Sequence, residues 1–135
     1  MRLIVDTSVI ISALIKDSLA RRLLRHIPAE LLTIPHSAQE LENHKRELIE
    51  KLSVSKVEFD KIVENLMDRL IMLNDQVVLE KMKEARKIMD HIDPFDTPFI
   101  SAALAVNADI WSNDTHFEKQ NKIKVWKTKD LEYLL

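Results

Sequence analysis

Short apolar runs alternate with helical patterns along this chain, and the alternation limits its fold more than any other sequence feature. The apolar runs predict strands at residues 2–5, 30–34, 71–73, 77–79, 110–111 and 124–126. Helical spacing of apolar residues appears at residues 7–15, 18–26, 37–51, 56–70, 81–90, 97–106 and 129–134. Strands separated by helices predict an α/β fold with a mostly parallel sheet.

The length and composition indicate one globular domain covering residues 1–135, without repeats or linkers. Apolar residues make up 46% of the chain and charged residues 31%, which is ordinary for such a domain. No apolar run approaches the roughly 20 residues that cross a bilayer. Asp6 interrupts the apolar N-terminal stretch, which argues against a signal peptide. We therefore expect a cytoplasmic location and no membrane partner.

Two residue types are missing from the sequence, and each absence excludes a class of site. There is no cysteine, so a metal ion must be held by oxygen or imidazole. There is no glycine, which excludes the glycine-rich loops of Walker and Rossmann nucleotide sites. Turns with positive φ are then expected at Asn, Asp or His. The net charge of -2 argues against a uniformly basic nucleic-acid coat, although a local patch is still compatible with nucleic-acid binding.

Four acidic residues stand out because each lies at the end of a predicted strand or the start of a predicted helix: Asp6, Glu40, Asp96 and Asp114. Asp6 directly follows the first strand, and Asp114 follows the strand that contains Trp111. In open α/β sheets, ligands bind beyond the carboxyl ends of the strands. We therefore expect Asp6 and Asp114 on the same edge of the sheet.

Each acid, taken alone, also has a purely structural interpretation. Asp6 is a possible N-cap of the helix that follows, although Thr7 can serve there equally well. Ser37 and Glu40 have the spacing of a capping box, which is the favoured interpretation of Glu40 in isolation.

The other two acids have comparable alternatives. Asp96 precedes Thr97 and Pro98 and is a possible N-cap, and Asp93 competes with it for either role. Asp114 lies in a polar turn where an Asx-turn is common.

The four acids are more informative together than apart, because carboxylates that share one pocket repel each other. Two unit charges about 4 Å apart cost about 4 kcal/mol at an effective dielectric constant near 20. A hard divalent cation removes this repulsion, and oxygen-only ligands suit Mg²⁺ or Mn²⁺. Such ions activate water and stabilise the leaving oxygen in phosphodiester hydrolysis.

Three segments of the chain resemble motifs of the PIN-domain family. The opening VDTSVI is similar to its first motif, and HSAQELENH to its second, with the acid at Glu40. DPFDTPFISAALAVNADIWSND is similar to its third and fourth motifs, with acids at Asp96 and Asp114. These segments follow one another in the family's order over nearly the whole chain. Asp93 still competes with Asp96 as the third acid.

The resemblance implies a three-layer α/β/α sandwich with a central parallel sheet. It also implies an endoribonuclease that hydrolyses RNA with the help of Mg²⁺ or Mn²⁺. The implied catalytic residues, which would bind the metal ion, are Asp6, Glu40, Asp96 and Asp114. Many small members are VapC-like toxins of toxin–antitoxin pairs, so a small antitoxin protein and a homodimer are implied as partners. By the same resemblance, Ser112 and Asn113 are expected to hydrogen-bond the fourth acid or a water molecule without binding the metal themselves.

A second function class remains open, in which the fold is a non-catalytic scaffold for RNA or a partner protein. The four acids would then be helix caps or an interface network, and the chain would bind no Mn²⁺. His116 lies near Asp114 and is a candidate for substrate contact, although a turn histidine is the simpler interpretation.

Overall fold

The computed structural model of the protein describes residues 1–15 and 18–135. The strands are β1 (Arg2–Val5), β2 (Glu30–Thr33), β3 (Ile71–Met72), β4 (Asp109–Trp111) and β5 (Val125–Trp126). The α-helices are α1 (Thr7–Ile15), α2 (Leu19–His26), α3 (Pro35–Asn43), α4 (Lys45–Leu52), α5 (Lys56–Met67), α6 (Asp75–Glu80), α7 (Met82–Met89), α8 (Thr97–Val106) and α9 (Thr128–Leu131). Short 3-10 helices cover Pro94–Asp96, Thr115–Lys119 and Glu132–Leu134.

The five strands form one sheet in the order β3-β2-β1-β4-β5, and every adjacent pair is parallel. The chain starts at the central strand β1, moves outward to β2 and β3, and then returns to the other side of β1 as β4. This reversal is the position at which open α/β sheets form a ligand-binding crevice. The expected parallel α/β sheet is confirmed.

Side chains of alternate strand residues enter two separate cores, one on each face of the sheet. Leu3 and Val5 of β1 pack on one face, against apolar residues of α1, α2, α4 and α5. Ile4 points to the opposite face and packs against residues of α6, α7 and α8. Successive strand residues face opposite ways, so this alternation produces the three-layer α/β/α sandwich that was expected.

One of the predicted strands is wrong. Residues 77–79 lie inside α6, because Asn74 is its N-cap and accepts a hydrogen bond from the Val77 amide at 2.9 Å. A run of three apolar residues is too short to separate a strand from a buried helical turn. Val78 instead fills the core with its side chain.

The helix predicted over residues 37–51 also differs from the structure. The structure divides it into α3 and α4 at His44, and α3 begins two residues earlier, with Pro35 in its first turn. Proline is favoured at that position because its missing N–H is not needed there. Ser37 is therefore inside the helix and is not its N-cap.

The absence of glycine has a visible consequence at two helix ends. Among the described residues, Ser53 and Asn107 have positive φ values, both 54°, and they end α4 and α8. Asn107 follows the expectation from the sequence, whereas Ser53 does not belong to the expected residue types. In the part of the chain that the structure covers, no helix is long and apolar enough to span a membrane.

Candidate metal centre

Asp6 lies at the carboxyl end of β1, where β1 and β4 are adjacent. The Asp6 amide donates to the Trp111 carbonyl at 3.0 Å, which extends the pairing of the two strands. Its carboxylate Oδ2 accepts hydrogen bonds from the hydroxyls of Ser8 at 2.6 Å and Ser112 at 2.8 Å. Asp6 is only 5% exposed. Burial raises its pKa, and the hydrogen bonds from both serines oppose this in part.

Glu40 reaches the site from α3, and the capping-box interpretation of this residue is wrong. Its Oε1 accepts a hydrogen bond from the Thr7 hydroxyl at 3.1 Å, and thus contacts the start of α1. Ser37 is fully buried one turn earlier, with its Oγ 2.8 Å from the Thr33 hydroxyl and 3.3 Å from that of Thr7. Burial raises the pKa of Glu40, and the nearby Asp6 carboxylate raises it further.

Asp93 and Asp96, the two competing acids of the third motif, make different local contacts. Asp93 is the N-cap of the short 3-10 helix, and its Oδ1 accepts from the Phe95 amide at 3.0 Å. Asp96 precedes α8 but makes no side-chain capping bond to it. Its buried Oδ2 has no hydrogen-bond partner among the described residues. The cap therefore explains the position of Asp93 but not that of Asp96.

Asp114 follows β4 and begins the 3-10 helix Thr115–Lys119, where its Oδ1 accepts from the His116 amide at 2.9 Å. This bond is the Asx-turn geometry that the sequence suggested. The Asp114 amide donates to the Ser112 hydroxyl at 2.9 Å. Ser112 thus contacts both Asp6 and Asp114, while Asn113 turns away to bond Thr128.

His116 faces three of the acids at once. Its Nδ1 lies 3.0 Å from an oxygen of Asp93, 3.5 Å from one of Asp114 and 3.7 Å from one of Asp96. These are ion-pair distances, but the buried Nδ1 atom has no hydrogen-bond partner among the described residues. Asp93, Asp96 and His116 offer ligand atoms within 4.8 Å of one another, close enough to bind one metal ion.

The strongest electrostatic perturbation in the site is that of Asp96. Burial raises its pKa to about 8, with further contributions from the carboxylates of Asp93, Asp6, Asp114 and Glu40, in that order. All four acids singled out in the sequence therefore lie close enough to interact, and Asp93 joins them. Asp6 and Asp114 follow β1 and β4, and Glu40 and Asp96 approach them from α3 and from the residue before α8. Of these four, Asp96 alone belongs to the group of described residues whose ligand atoms lie within 4.8 Å of one another.

The donors present fit a hard divalent cation. Among residues 1–15 and 18–135, no lysine or arginine forms an ion pair with Asp6, Glu40, Asp96 or Asp114. A group of buried and partly buried carboxylates that no lysine or arginine neutralises is costly. The unpartnered Asp96 Oδ2 and the oxygen-rich donor set suit Mg²⁺ or Mn²⁺. Metal binding by these residues stays a prediction.

Sequence reasoning assigned no part in the site to Thr7 or Ser8, and treated His116 as a turn residue first. The signal for Thr7 and Ser8 was their position directly after Asp6, in the first turn of α1. The signal for His116 was its spacing of two residues from Asp114 in the polar turn after β4. Only the folded chain brings His116 against Asp93, which is 23 residues away in sequence.

Comparisons with known proteins agree with this architecture. Two solved structures are similar in fold: VapBC2 from Rickettsia felis, bound to a DNA fragment from its promoter, and VapBC-1 from nontypeable Haemophilus influenzae. The first is 16% identical with a TM-score of 0.72, covering 94% of this chain and 98% of that chain. The second is 20% identical with a TM-score of 0.69, covering 96% and 99%. A comparison with curated protein sequences finds no match.

A family model described as PIN domain matches residues 4–135. The match contains the four acids, the sheet that positions them and the crevice in which they meet. The chain therefore belongs to the PIN-domain family.

Proposed function

We propose that this PIN domain, formed by residues 1–135, is a Mg²⁺- or Mn²⁺-dependent endoribonuclease. The observation that carries the proposal is the convergence of Asp6, Glu40, Asp96 and Asp114, with no lysine or arginine among the described residues in an ion pair with any of them. Structural carboxylates are usually paired or fully exposed, whereas Asp6 is buried and the other three are partly buried beside it. Such a group is a candidate functional site with a stated physical cause.

The four acids are the proposed ligands of the metal, with Asp93 and His116 next to them. When bound, the divalent ion supplies the charge that activates water and stabilises the phosphorane-like transition state of phosphodiester hydrolysis. The products expected for the family are a 5′-phosphate and a 3′-hydroxyl.

The chain's own residues hold the ligands in place. Ser8 and Ser112 fix one oxygen of Asp6 from two different elements, α1 and the end of β4. Thr7 fixes Glu40 by a bond between α1 and α3. Hydrogen bonds of this kind orient metal ligands and tune their affinity.

We further propose that the protein is a VapC-like toxin that acts in the cytoplasm as a homodimer and is silenced by a small antitoxin protein. The support is the family match together with the two solved structures of similar fold, both of which are VapBC assemblies. Co-expression with the protein encoded next to it, followed by size-exclusion chromatography, tests this assembly.

Titration calorimetry with Mn²⁺ tests the metal site. We expect binding heat with the parent protein and its loss in Asp96→Asn and Asp114→Asn. Asp68→Asn is the matched control, because Asp68 is an exposed carboxylate at the end of α5. Absence of Mn²⁺ binding at millimolar concentration contradicts the nuclease proposal and favours the non-catalytic scaffold.

A further inference from the structure

A cavity of about 430 Å³ opens directly beside the acidic crevice. It is lined by Pro35, His36, Gln39, Glu40, Asn43 and Phe95. Two lining residues connect the cavity with the candidate metal centre. Glu40 belongs to the cavity and to the metal centre, and Phe95 immediately precedes Asp96. A group bound in this cavity is therefore a direct neighbour of anything that binds at the acids.

Phe95 forms one wall and is held in an unusual position. Its side chain is 81% exposed, whereas the other three phenylalanines, Phe59, Phe99 and Phe117, are 2%, 0% and 0% exposed. The Asp93 cap fixes its backbone, with the Phe95 amide 3.0 Å from Asp93 Oδ1. A single exposed apolar side chain is ordinary on a protein surface, but this one stands at the mouth of a cavity that adjoins a functional site.

The other lining residues all belong to α3. His36, Gln39, Glu40 and Asn43 are three or four residues apart, so their side chains lie on the same side of the helix. Gln39 donates to Asn43 at 3.0 Å, which fixes the two amides next to each other. An amide pair supplies both hydrogen-bond donors and acceptors.

The lining is suited to a neutral planar group. No lysine or arginine is among the lining residues, so the cavity lacks the charge that holds a phosphate. An aromatic side chain and a pair of amides in the same cavity match a nucleobase, which has a flat π-surface and an edge of donors and acceptors. Bases in a duplex are stacked and paired, and only unpaired bases are free to enter such a cavity.

We propose that this cavity binds an unpaired RNA base next to the scissile phosphate, with Phe95 stacking on the base and the Gln39 and Asn43 amides contacting its edge. The inference rests on the proposed function and adds a base-binding cavity next to the acids and a specificity-determining residue, Phe95. A base held here places its own backbone phosphate toward Glu40 and Asp96. An acidic crevice alone does not discriminate between paired and unpaired RNA, whereas this cavity does.

The test measures RNA affinity in an Asp6→Asn background, which prevents cleavage during the titration. The probes are a short single-stranded RNA that carries 2-aminopurine and a blunt duplex of the same sequence. We expect Phe95→Ala to weaken single-strand binding about tenfold or more and to abolish the quenching of 2-aminopurine. Phe95→Trp retains both. Leu79→Ala is the matched control, because Leu79 is 64% exposed on α6 and does not line the cavity.

Equal single-strand affinity in Phe95→Ala and its parent overturns the proposal, and so does absence of RNA binding by the parent. A Phe95→Ala variant that keeps RNA affinity but loses a co-purifying partner identifies the cavity as a protein interface and also overturns it. The two proposals fail separately. If the cleaving enzyme keeps its KM in Phe95→Ala, only the base site is refuted; if the protein binds no Mn²⁺, the nuclease is refuted.

Discussion

The Ser112 hydroxyl donates a hydrogen bond of 2.8 Å to the Asp6 carboxylate, although 106 residues separate the two in sequence. This bond joins the ends of β1 and β4 at the point where the sheet order reverses. We expect Ser112→Ala to weaken Mn²⁺ binding about 10- to 100-fold, as is typical when a partner of a metal ligand is removed. Calorimetry measures the affinity.

Ser55→Ala is the control for this variant. Ser55 caps α5 and accepts from the Glu58 amide at 3.1 Å, away from the acids. Its loss is expected to cost about 1 kcal/mol of unfolding free energy and to leave Mn²⁺ affinity unchanged. Equal metal affinity in Ser112→Ala and the parent protein would contradict the role given to Ser112.

Thr7 is expected to position Glu40, and its hydroxyl is the group that does so. Thr7→Val keeps the shape of the buried side chain but removes the 3.1 Å bond to Glu40. We expect cleavage to fall about 10- to 100-fold, while Thr7→Ser, which restores a hydroxyl, recovers most of it. Single-turnover cleavage assays measure the effect. If Thr7→Val and Thr7→Ser cleave equally, the hydroxyl has no such role.

Asp93 and Asp96 are expected to contribute unequally to metal binding. Asp96 interacts with every other acid of the site, whereas Asp93 is engaged as a helix cap. Asparagine also serves as a cap, so Asp93→Asn removes charge without removing the cap. We expect Asp96→Asn to abolish Mn²⁺ binding and Asp93→Asn to weaken it. The reverse order in calorimetry would make Asp93 the third ligand.

The metal-free protein is expected to lose stability as pH rises. Asp96 has a folded-state pKa raised from 3.8 to about 8, so its native state favours the protonated form. The contribution of Asp96 to folding stability is complete below its unfolded pKa of 3.8. It is lost as pH rises toward the folded pKa of about 8, because the unfolded chain releases this proton at lower pH than the folded chain does. Burial acts in the same direction at Asp6 and Glu40, whose pKa values are also raised.

Thermal unfolding in the presence of a chelator, followed between pH 5 and 9, measures this loss of stability. We expect the melting temperature of the parent to fall over this range and that of Asp96→Asn to fall less. Excess Mn²⁺ should remove the decline in the parent, since the ion neutralises the carboxylates. Identical pH dependence in Asp96→Asn and the parent would exclude Asp96 as its source.

The sequence was sufficient for the parallel α/β sheet and for the position of Asp6 and Asp114 at one edge of it, because both depend on patterns within short segments. Asp6 follows a buried apolar strand, and Asp114 follows another, so their common edge follows from parallel pairing. The helix at α6 was missed since its three apolar residues have no period of their own. Asn74, its cap, carried the signal that distinguishes a helix from a strand.

The contacts around the acids were beyond sequence reasoning, because they depend on how helices pack. Ser37 and Glu40 have capping-box spacing, but Pro35 starts the helix earlier and Ser37 turns inward to Thr33. The approach of His116 to Asp93 likewise requires the folded arrangement of two separate 3-10 helices. The exposure of Phe95 has no sequence signal at all, since an aromatic residue next to an apolar helix suggests core.

RNA cleavage in Mn²⁺ by the parent protein and by Asp6→Asn tests the central claim most directly. Asparagine has the same shape as aspartate and keeps an acceptor for Ser8 and Ser112, so the fold should survive, as circular dichroism can verify. We expect cleavage by the parent, with a 5′-phosphate on the product, and none above background by Asp6→Asn. Cleavage by Asp6→Asn at the parent rate contradicts it.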